Sequence, residues 1–317
     1  MDKVTFIIPV KPGGESRALQ RLLQEDFSPF RVEILVAEGK NPSRQRNLAA
    51  AAAAGDFLYF LDDDSLPSPG FLRRALSHFA DPRVAAAGGP SITPADDTLL
   101  QRCFGLVFTS PIGGGGMRNR YRKFGSVRVV ADNELILCNM AFRRRVFLDL
   151  GGFDELLYPN EENELMERVR LEGWKLVHDP ELAVMRSQRR TLRAFVRQLF
   201  SYGRGRGEQT LITRRINPVT LAPPLFLLYL LAVPGLPAVY SLPLLCYLAT
   251  VGIFSGFAAA AGNLPAAVVL LPVLFPIFHL SYGAGMLAGL SGVTLRRKRG
   301  MTWEVNIRRE RALSPQT

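Results

Sequence analysis

Cysteine and histidine are scarce, with three of each among 317 residues. Cys103, Cys138 and Cys246 are widely separated and no histidine stands at ligand spacing from them, which excludes a zinc module and an even-numbered disulfide framework. A reducing, cytosolic setting fits. Charge is missing from one long stretch: the 80 residues from Ile216 to Leu295 contain no Asp, Glu, Lys or Arg, and only His279 is able to become charged. A membrane span takes about 20 mostly apolar residues, so this stretch reads as membrane-embedded. It offers no acid or lysine for ion coupling, which argues against a transporter. The opening residues MDKVTFIIPV show no charged leader with a long apolar core, so residues 1 to 210 are expected to stay in the cytosol.

What is abundant is positive charge, 39 Lys+Arg against 28 Asp+Glu for a net +11. Residues 186–215 hold nine arginines against Glu208, and residues 296–317 hold seven basic residues against Glu304 and Glu310. These two segments exceed the surplus of the whole chain, leaving the remainder slightly negative. Basic collars on both sides of an apolar block suit cytoplasmic segments lying on anionic lipid headgroups. A nucleic-acid face would interleave basic residues with aromatics, and only Phe200 and Tyr202 stand near, so no nucleic-acid partner is expected. Pro234-Gly235-Leu236-Pro237 and Gly262-Asn263-Leu264-Pro265 divide the block into segments near 220–240, 241–261 and 266–290. An even number of crossings, with the Pro-broken first segment interfacial or re-entrant, keeps both collars on one side. Four regions follow: 1–185 soluble, 186–215 basic and juxtamembrane, 216–295 transmembrane, and 296–317 a basic tail.

The soluble half alternates strands with helices. Val4–Val10, Val32–Ala37, Phe57–Leu61 and Val84–Ala87 read as strands, and Ser16–Gln24, a helix capped by Ser43 through the alanines 49–54, and Gly70–Phe79 read as helices. The pattern implies an α/β fold with a mostly parallel sheet and ligands at the carboxyl ends of its strands. The residues that follow strands, Pro9 to Gly14, Glu38 and Asp62-Asp63-Asp64, are the ones to inspect. Asp62 and Asp64 leave the third strand one residue apart, so both carboxylates are able to face one way. Such hard donors suit Mg²⁺ or Mn²⁺ shared with a diphosphate, or else form a solvated acidic turn. Glu161-Glu162-Asn163-Glu164 follows Asn160, and acids in a first helical turn favour the helix dipole. Clustered carboxylates also raise one member's pKa and make it a general base. Gly113–Gly116 lacks the context of a phosphate loop and reads as a mobile loop. Gly283, Gly285, Gly289 and Gly292 suit close packing of membrane helices.

The ordered segments VTFIIPVKPGGE, EILVAEGKNPSRQRNLAAAAAAGDFLYFLDDDSLPSPGFL, CNMAFRRRVFLDLGGFDE and ENELMERVRLEGWKL resemble family 2 glycosyltransferases of the GT-A fold across residues 1 to about 205. RQLFSYGRGRG resembles the Gln-to-Tyr-Gly segment of bacterial exopolysaccharide transferases of the succinoglycan type, without the Trp of the Gln-x-x-Arg-Trp motif. The resemblance implies inverting transfer from a nucleoside diphosphate sugar by a GT-A domain followed by a C-terminal α-helical transmembrane domain. It places Asp62-Asp63-Asp64 at the DxD position, with Asp64 and Asp62 toward the metal, Mg²⁺ or Mn²⁺. It sets Pro9, Val10, Glu38, Arg46, Asn47, Asp62 and Asp63 toward the nucleotide sugar. Asn139, Gln198, Tyr202, Arg204 and Arg206 fall toward the acceptor or its phosphate. The general base is Glu162, standing where the family has Asp, or its neighbour Glu161. The expected partners are a nucleoside diphosphate sugar, a lipid-linked acceptor and anionic lipid headgroups, at the cytoplasmic face of the inner membrane in polysaccharide or glycolipid assembly. The alternatives are a polyprenyl-phosphate sugar synthase, which needs no base, and a non-catalytic membrane scaffold with a GT-A-like domain.

Overall fold

The computed structural model describes residues 2–313. In chain order the elements are β1 (Lys3–Val10), α1 (Arg17–Leu23), β2 (Arg31–Gly39), α2 (Pro42–Ala52), β3 (Phe57–Leu61), β4 (Leu66–Pro67), α3 (Phe71–Ser77), β5 (Val84–Gly88), β6 (Ser91–Ile92), α4 (Leu99–Thr109), β7 (Arg128–Val130), β8 (Asn139–Arg143), α5 (Arg144–Asp149), α6 (Glu161–Leu171), β9 (Lys175–His178), β10 (Val184–Met185), α7 (Leu192–Thr213), α8 (Ala222–Ala232), α9 (Leu242–Ala261), α10 (Ala267–Leu290), α11 (Val293–Lys298) and β11 (Val305–Arg311). They form two compact units. One takes the chain through Ile92, Asn119–Arg186 and the residues from Met301 onward; the other takes Thr93–Arg118 and Ser187–Gly300.

In the first unit, β1, β2 and β3 are apolar and buried along nearly their whole length, as strands covered on both faces must be. The eight-stranded sheet has the order β11-β2-β1-β3-β8-β5-β9-β7. β1 pairs in parallel with β2 and β3, and β5 with β9; β8 runs antiparallel between β3 and β5, so five strands share one direction. α1 begins where Ser16 accepts from the Leu19 amide, as its sequence suggests. α2 is capped instead by Asn41, which accepts from the Arg44 amide at 3.2 Å, while Ser43 sits inside the helix and donates to the Leu157 carbonyl at 2.6 Å. Phe6, Phe27, Tyr59 and Phe71 form one aromatic cluster with centroids 5.1 to 6.5 Å apart. Truncating such a ring costs about 3–5 kcal/mol.

The basic tail contains a strand. β11 pairs antiparallel with β2 from Val305 against Gly39 to Arg311 against Ile34. Val305 and Ile307 turn toward the core, and Arg309 reaches the buried Glu33 at 2.9 Å. A smaller sheet, β4-β10-β6, sets Met185 opposite Leu66, two residues beyond Asp64.

In the second unit, α7 packs along α10 at backbone contact distance. A Cβ on Gly203 or Gly207 would strike the carbonyls of Tyr282 or Met286, and one on Gly285 or Gly289 would strike those of Phe200 or Arg204. The expected packing role of Gly283, Gly285 and Gly289 is therefore seen, and Gly292 provides instead a left-handed turn ahead of α11. α4 belongs here: Phe104 stacks on Phe195 at 3.9 Å and Phe108 meets Phe278 edge-on. Gly113 and Gly114 press on the carbonyls of Val107 and Phe108, so the glycine run expected as a mobile loop is a compact turn. His279 links Tyr247 at 2.8 Å to the Ile112 carbonyl at 2.7 Å. Three helical stretches, Pro218–Gly235, Ala238–Ala261 and Ala267–Leu290, are long and apolar enough to cross a membrane. Leu225, Leu231, Phe257, Val269 and Val273 on them are exposed, as side chains facing lipid would be. In the first stretch the 11-residue α8 is extended without a break by 3-10 turns, Pro218–Leu221 before it and Val233–Gly235 after it.

Candidate active site

β1, β2 and β3 deliver their carboxyl ends to one edge of the first unit. After β1 the chain turns at Lys11–Gly14, and the Gly13 amide donates to Glu38 Oε1 at 3.0 Å, tying the turn to the end of β2. Pro9 and Val10 lie in β1, opposite Ala37 and Glu38. Gln45, which sequence reasoning passed over, donates to the carbonyls of Val10 at 2.8 Å and Ala37 at 2.5 Å, holding both strand ends against α2.

The centre of the site is a chain of charges. Arg46 is buried and bridges Glu161 Oε1 at 3.0 Å to Asp62 Oδ1 at 2.7 Å. Arg186 joins Asp62 Oδ2 at 3.1 Å to Asp64 Oδ1 at 2.6 Å. Asp62 and Asp64 thus do face one way, onto a shared guanidinium. Between them, burial and the two neighbouring carboxylates push the Asp63 carboxyl up, opposed by Arg186 and Lys11. Its backbone carbonyl receives the Ala18 amide and the Ser16 hydroxyl, fixing the triplet to α1.

The acids at the start of α6 divide. Glu161 is buried, and burial followed by the charge of Glu162 drives its carboxyl well above the usual range, offset in part by Arg46. Its Oε2 has no hydrogen-bond partner among the described residues. Glu162 is more exposed and takes Arg120 Nη1 at 3.2 Å. Arg120 is itself immobilised, donating to Asn163 Oδ1 at 2.5 Å and to the carbonyls of Asp132 and Asn133 at 2.9 Å. Asn160 precedes the helix in a left-handed conformation, and its side chain accepts from Asn163 at 3.1 Å rather than from a helix-end amide.

The remaining expected positions are held by partners of their own. Asn47 pins the segment before α6, exchanging hydrogen bonds with the backbone of Phe153 at 2.8 and 2.9 Å. Asn139 sits in the core, its amide between the Tyr59 hydroxyl and the Leu182 carbonyl. Gln198, Tyr202, Arg204 and Arg206 lie on α7 in the second unit, where Gln198 donates to the Tyr202 hydroxyl at 2.7 Å. The sequence hid Arg186 among eight other arginines of the basic collar and gave no signal for Arg120.

Among the described residues, no three His, Cys, Asp or Glu side chains assemble as a metal-ligand set. A divalent ion shared with a diphosphate needs only one or two protein carboxylates, and Asp62 and Asp64 already converge on one cationic group. The donor set fits Mg²⁺ or Mn²⁺.

The sequence model described as glycosyl transferase family group 2 matches residues 57–280. The pre-mycofactocin glycosyltransferase of Mycobacterium tuberculosis is 28% identical over 221 residues, 63% of this chain and 46% of that protein. The chain thus spans about half the length of that relative. The succinoglycan biosynthesis protein ExoA of Rhizobium meliloti is 24% identical over 253 residues, 69% of this chain and 75% of that protein. A mannosyltransferase of Pyrobaculum calidifontis, solved with GDP-Man and Mn²⁺, superposes with a TM-score of 0.53 at 16% identity, covering 90% of this chain and 86% of that one. Its likeness shows the GT-A fold. With an α/β domain of that fold, helices long and apolar enough for a membrane, and a family match across both, the chain belongs to glycosyl transferase family group 2.

Proposed function

We propose that the protein is an inverting glycosyltransferase that moves a sugar from a nucleoside diphosphate sugar to a lipid-linked acceptor at the cytosolic membrane face. The observation that carries this reading is the run of opposed charges from Asp64 through Arg186, Asp62 and Arg46 to Glu161, with Glu162 beside it on Arg120. It lies at the carboxyl ends of the parallel strands, where open α/β sheets bind ligands. The donor diphosphate lies along the ends of β1 and β3, with Glu38 bracing the turn beneath it. Asp62 and Asp64 hold the divalent ion, which when bound neutralises charge on the departing diphosphate. Glu162 removes the proton from the acceptor hydroxyl as that oxygen attacks the anomeric carbon from the opposite side, and the single displacement inverts the configuration. Arg120, fixed by three other hydrogen bonds, keeps the Glu162 carboxylate from swinging away. Glu161 is too buried to meet an acceptor and serves to hold Arg46. Gln198, Tyr202, Arg204 and Arg206 are the groups for the acceptor phosphate, arginine offering forked donors to it.

The membrane location rests on connectivity as well as composition. Residues 187–300 leave the first unit after Arg186 and return to it at Met301, and β11 is hydrogen-bonded into its sheet. Both ends of the helical segment therefore belong on one side of the bilayer. Ends on one side require an even number of crossings; of the three apolar stretches α9 and α10 make them, and Pro218–Gly235 lies in the interface or re-enters. Arginine at both ends favours the cytosolic side.

Purified protein in detergent, given Mn²⁺ and a panel of nucleotide sugars with a lipid extract, should release nucleoside diphosphate and form a glycolipid. Chelation of the metal or Asp64→Ala should abolish both. Glu162→Gln should lower transfer by about 10²–10⁴-fold, the range of a lost general base, while donor binding persists. Near-normal turnover in Glu162→Gln would replace the hydroxyl acceptor with an already ionised phosphate. Absence of donor binding under every condition would refute the enzyme reading.

A further inference from the structure

Arg186 does more than sit in a basic collar. It follows β10, whose pairing sets Met185 opposite Leu66, so that Arg186 falls across from Ser65 at the close of the acidic triplet. Its backbone amide is fixed to the Ile92 carbonyl at 2.9 Å. From there its guanidinium spans Asp62 and Asp64 at 3.1 and 2.6 Å. The two arginines on this triplet differ in one respect. The Arg46 side chain is 4% exposed and locked between two acids, whereas that of Arg186 is 20% exposed and its second contact, Asp64, is 39% exposed. Arg46 is a fixed part of the wall, and Arg186 is the more exposed of the two.

We propose that Arg186 is an exchangeable counter-ion: it holds the carboxylates that receive the divalent ion and, when that ion takes them, turns its charge to the donor's diphosphate. This rests on reading Asp62 and Asp64 as metal ligands. Two carboxylates and one guanidinium carry net charge −1. Replacing the guanidinium by a divalent ion makes the group neutral but leaves Arg186 without its acids in a half-buried place, which is unfavourable unless another anion arrives. A diphosphate is that anion, matched by the forked donors of arginine. Metal and nucleotide therefore bind with positive coupling through Arg186, and such coupling is reciprocal, typically 5–150-fold in affinity. Arg186 acts as a positioning residue for the ion and as a contact for the leaving group.

The test measures Mn²⁺ binding by the paramagnetic resonance of the free ion, on full-length protein in detergent, with and without saturating uridine or guanosine diphosphate. Without nucleotide, Arg186→Gln should bind Mn²⁺ about tenfold more tightly than the unaltered protein, and Arg186→Lys should fall between. With Mn²⁺ saturating, Arg186→Gln should bind the nucleoside diphosphate about tenfold more weakly. Asp64→Asn should remove Mn²⁺ binding in either background. Equal Mn²⁺ affinity in Arg186→Gln and the unaltered protein would overturn the counter-ion role while leaving the metal site standing. No Mn²⁺ binding by any form, with or without nucleotide, would overturn the metal reading itself. The lysine variant retains the charge, so a glutamine variant that fails to fold leaves a measurable arm.

Discussion

Replacing Arg46 by Gln tests whether the charge run is a cooperative unit. The guanidinium is buried between Glu161, whose side chain is 3% exposed, and Asp62. Removing one partner of a buried pair costs about 3–5 kcal/mol, because the other charge is left without compensation. Glu161 has an escape, since it is able to bind a proton: burial and Glu162 already push it up to about 8. The sign of the pH dependence follows from that direction. A carboxyl raised in the folded state binds more protons there than in the unfolded chain, so its contribution is full below the ordinary carboxyl value and is lost as pH rises toward the raised one. Without Arg46 the folded value climbs further, so the Glu161 share of the Arg46→Gln penalty should be small below pH 8, where the carboxyl already holds its proton, and grow by at most about 1.4 kcal/mol per pH unit above it. A loss of 1 kcal/mol lowers the melting temperature of a domain of about 150–250 residues by about 2–4 °C. Thermal unfolding in detergent should therefore show Arg46→Gln losing about 3–6 °C more, relative to the unaltered protein, at pH 9 than at pH 6. Arg46→Gln/Glu161→Gln should recover that pH-dependent part, because no buried charge is stranded. A loss as large at pH 6 as at pH 9, or strictly additive effects of the two substitutions at pH 9, would refute the reasoning.

Two further outcomes concern the helical unit and its orientation. Gly285→Val places branched methyls where even a Cβ meets the Phe200 carbonyl; α7 and α10 should separate, with a large loss of thermal stability, whereas Gly256→Val, which has open space around it, should melt with the unaltered protein. With Cys246 replaced by Ser, single cysteines at Asn306 and at Asn263 should react differently with an impermeant thiol reagent added to sealed inverted vesicles. The first should label and the second, between α9 and α10, should not. Labelling of both or of neither would contradict two full crossings.

The parts of the fold that were legible are those whose cause is local. The first three strands are runs of apolar residues ended by glycine, charge or proline, and their burial on both faces follows directly. The acidic triplet at the end of a buried strand left two readings open, a pair of metal donors and a solvated turn, because three adjacent carboxylates serve either. Pairings set at long range were not legible. β11 reads as VNIRRER, a charged tail, and its alternation of Val305 and Ile307 is too short to announce a strand whose partner lies some 270 residues earlier. Arg186 looks like every other arginine before a membrane until β4 and β10 pair. Asn139 stands toward the acceptor only by resemblance, since an amide on a strand carries no sign in sequence of what it bonds; in the fold the Tyr59 hydroxyl and the Leu182 carbonyl hold it. Glu161 and Glu162 are chemically alike in sequence, and only the helix start tells them apart by turning one inward to Arg46 and the other toward Arg120.

The returning strand also imposes an order of manufacture. β11 leaves the ribosome after α8, α9 and α10, and it pairs Val305 and Asn306 with Gly39 and Glu38 at the carboxyl end of β2. Its Arg309 answers Glu33, a buried acid whose other oxygen is held by Thr5 and the Ala54 amide from the start. Until translation has passed the hydrophobic block, β2 is an open edge and Glu33 is half compensated. The sheet is thus closed by a strand made after the apolar helices, so that a chain halted before them keeps its β2 edge open.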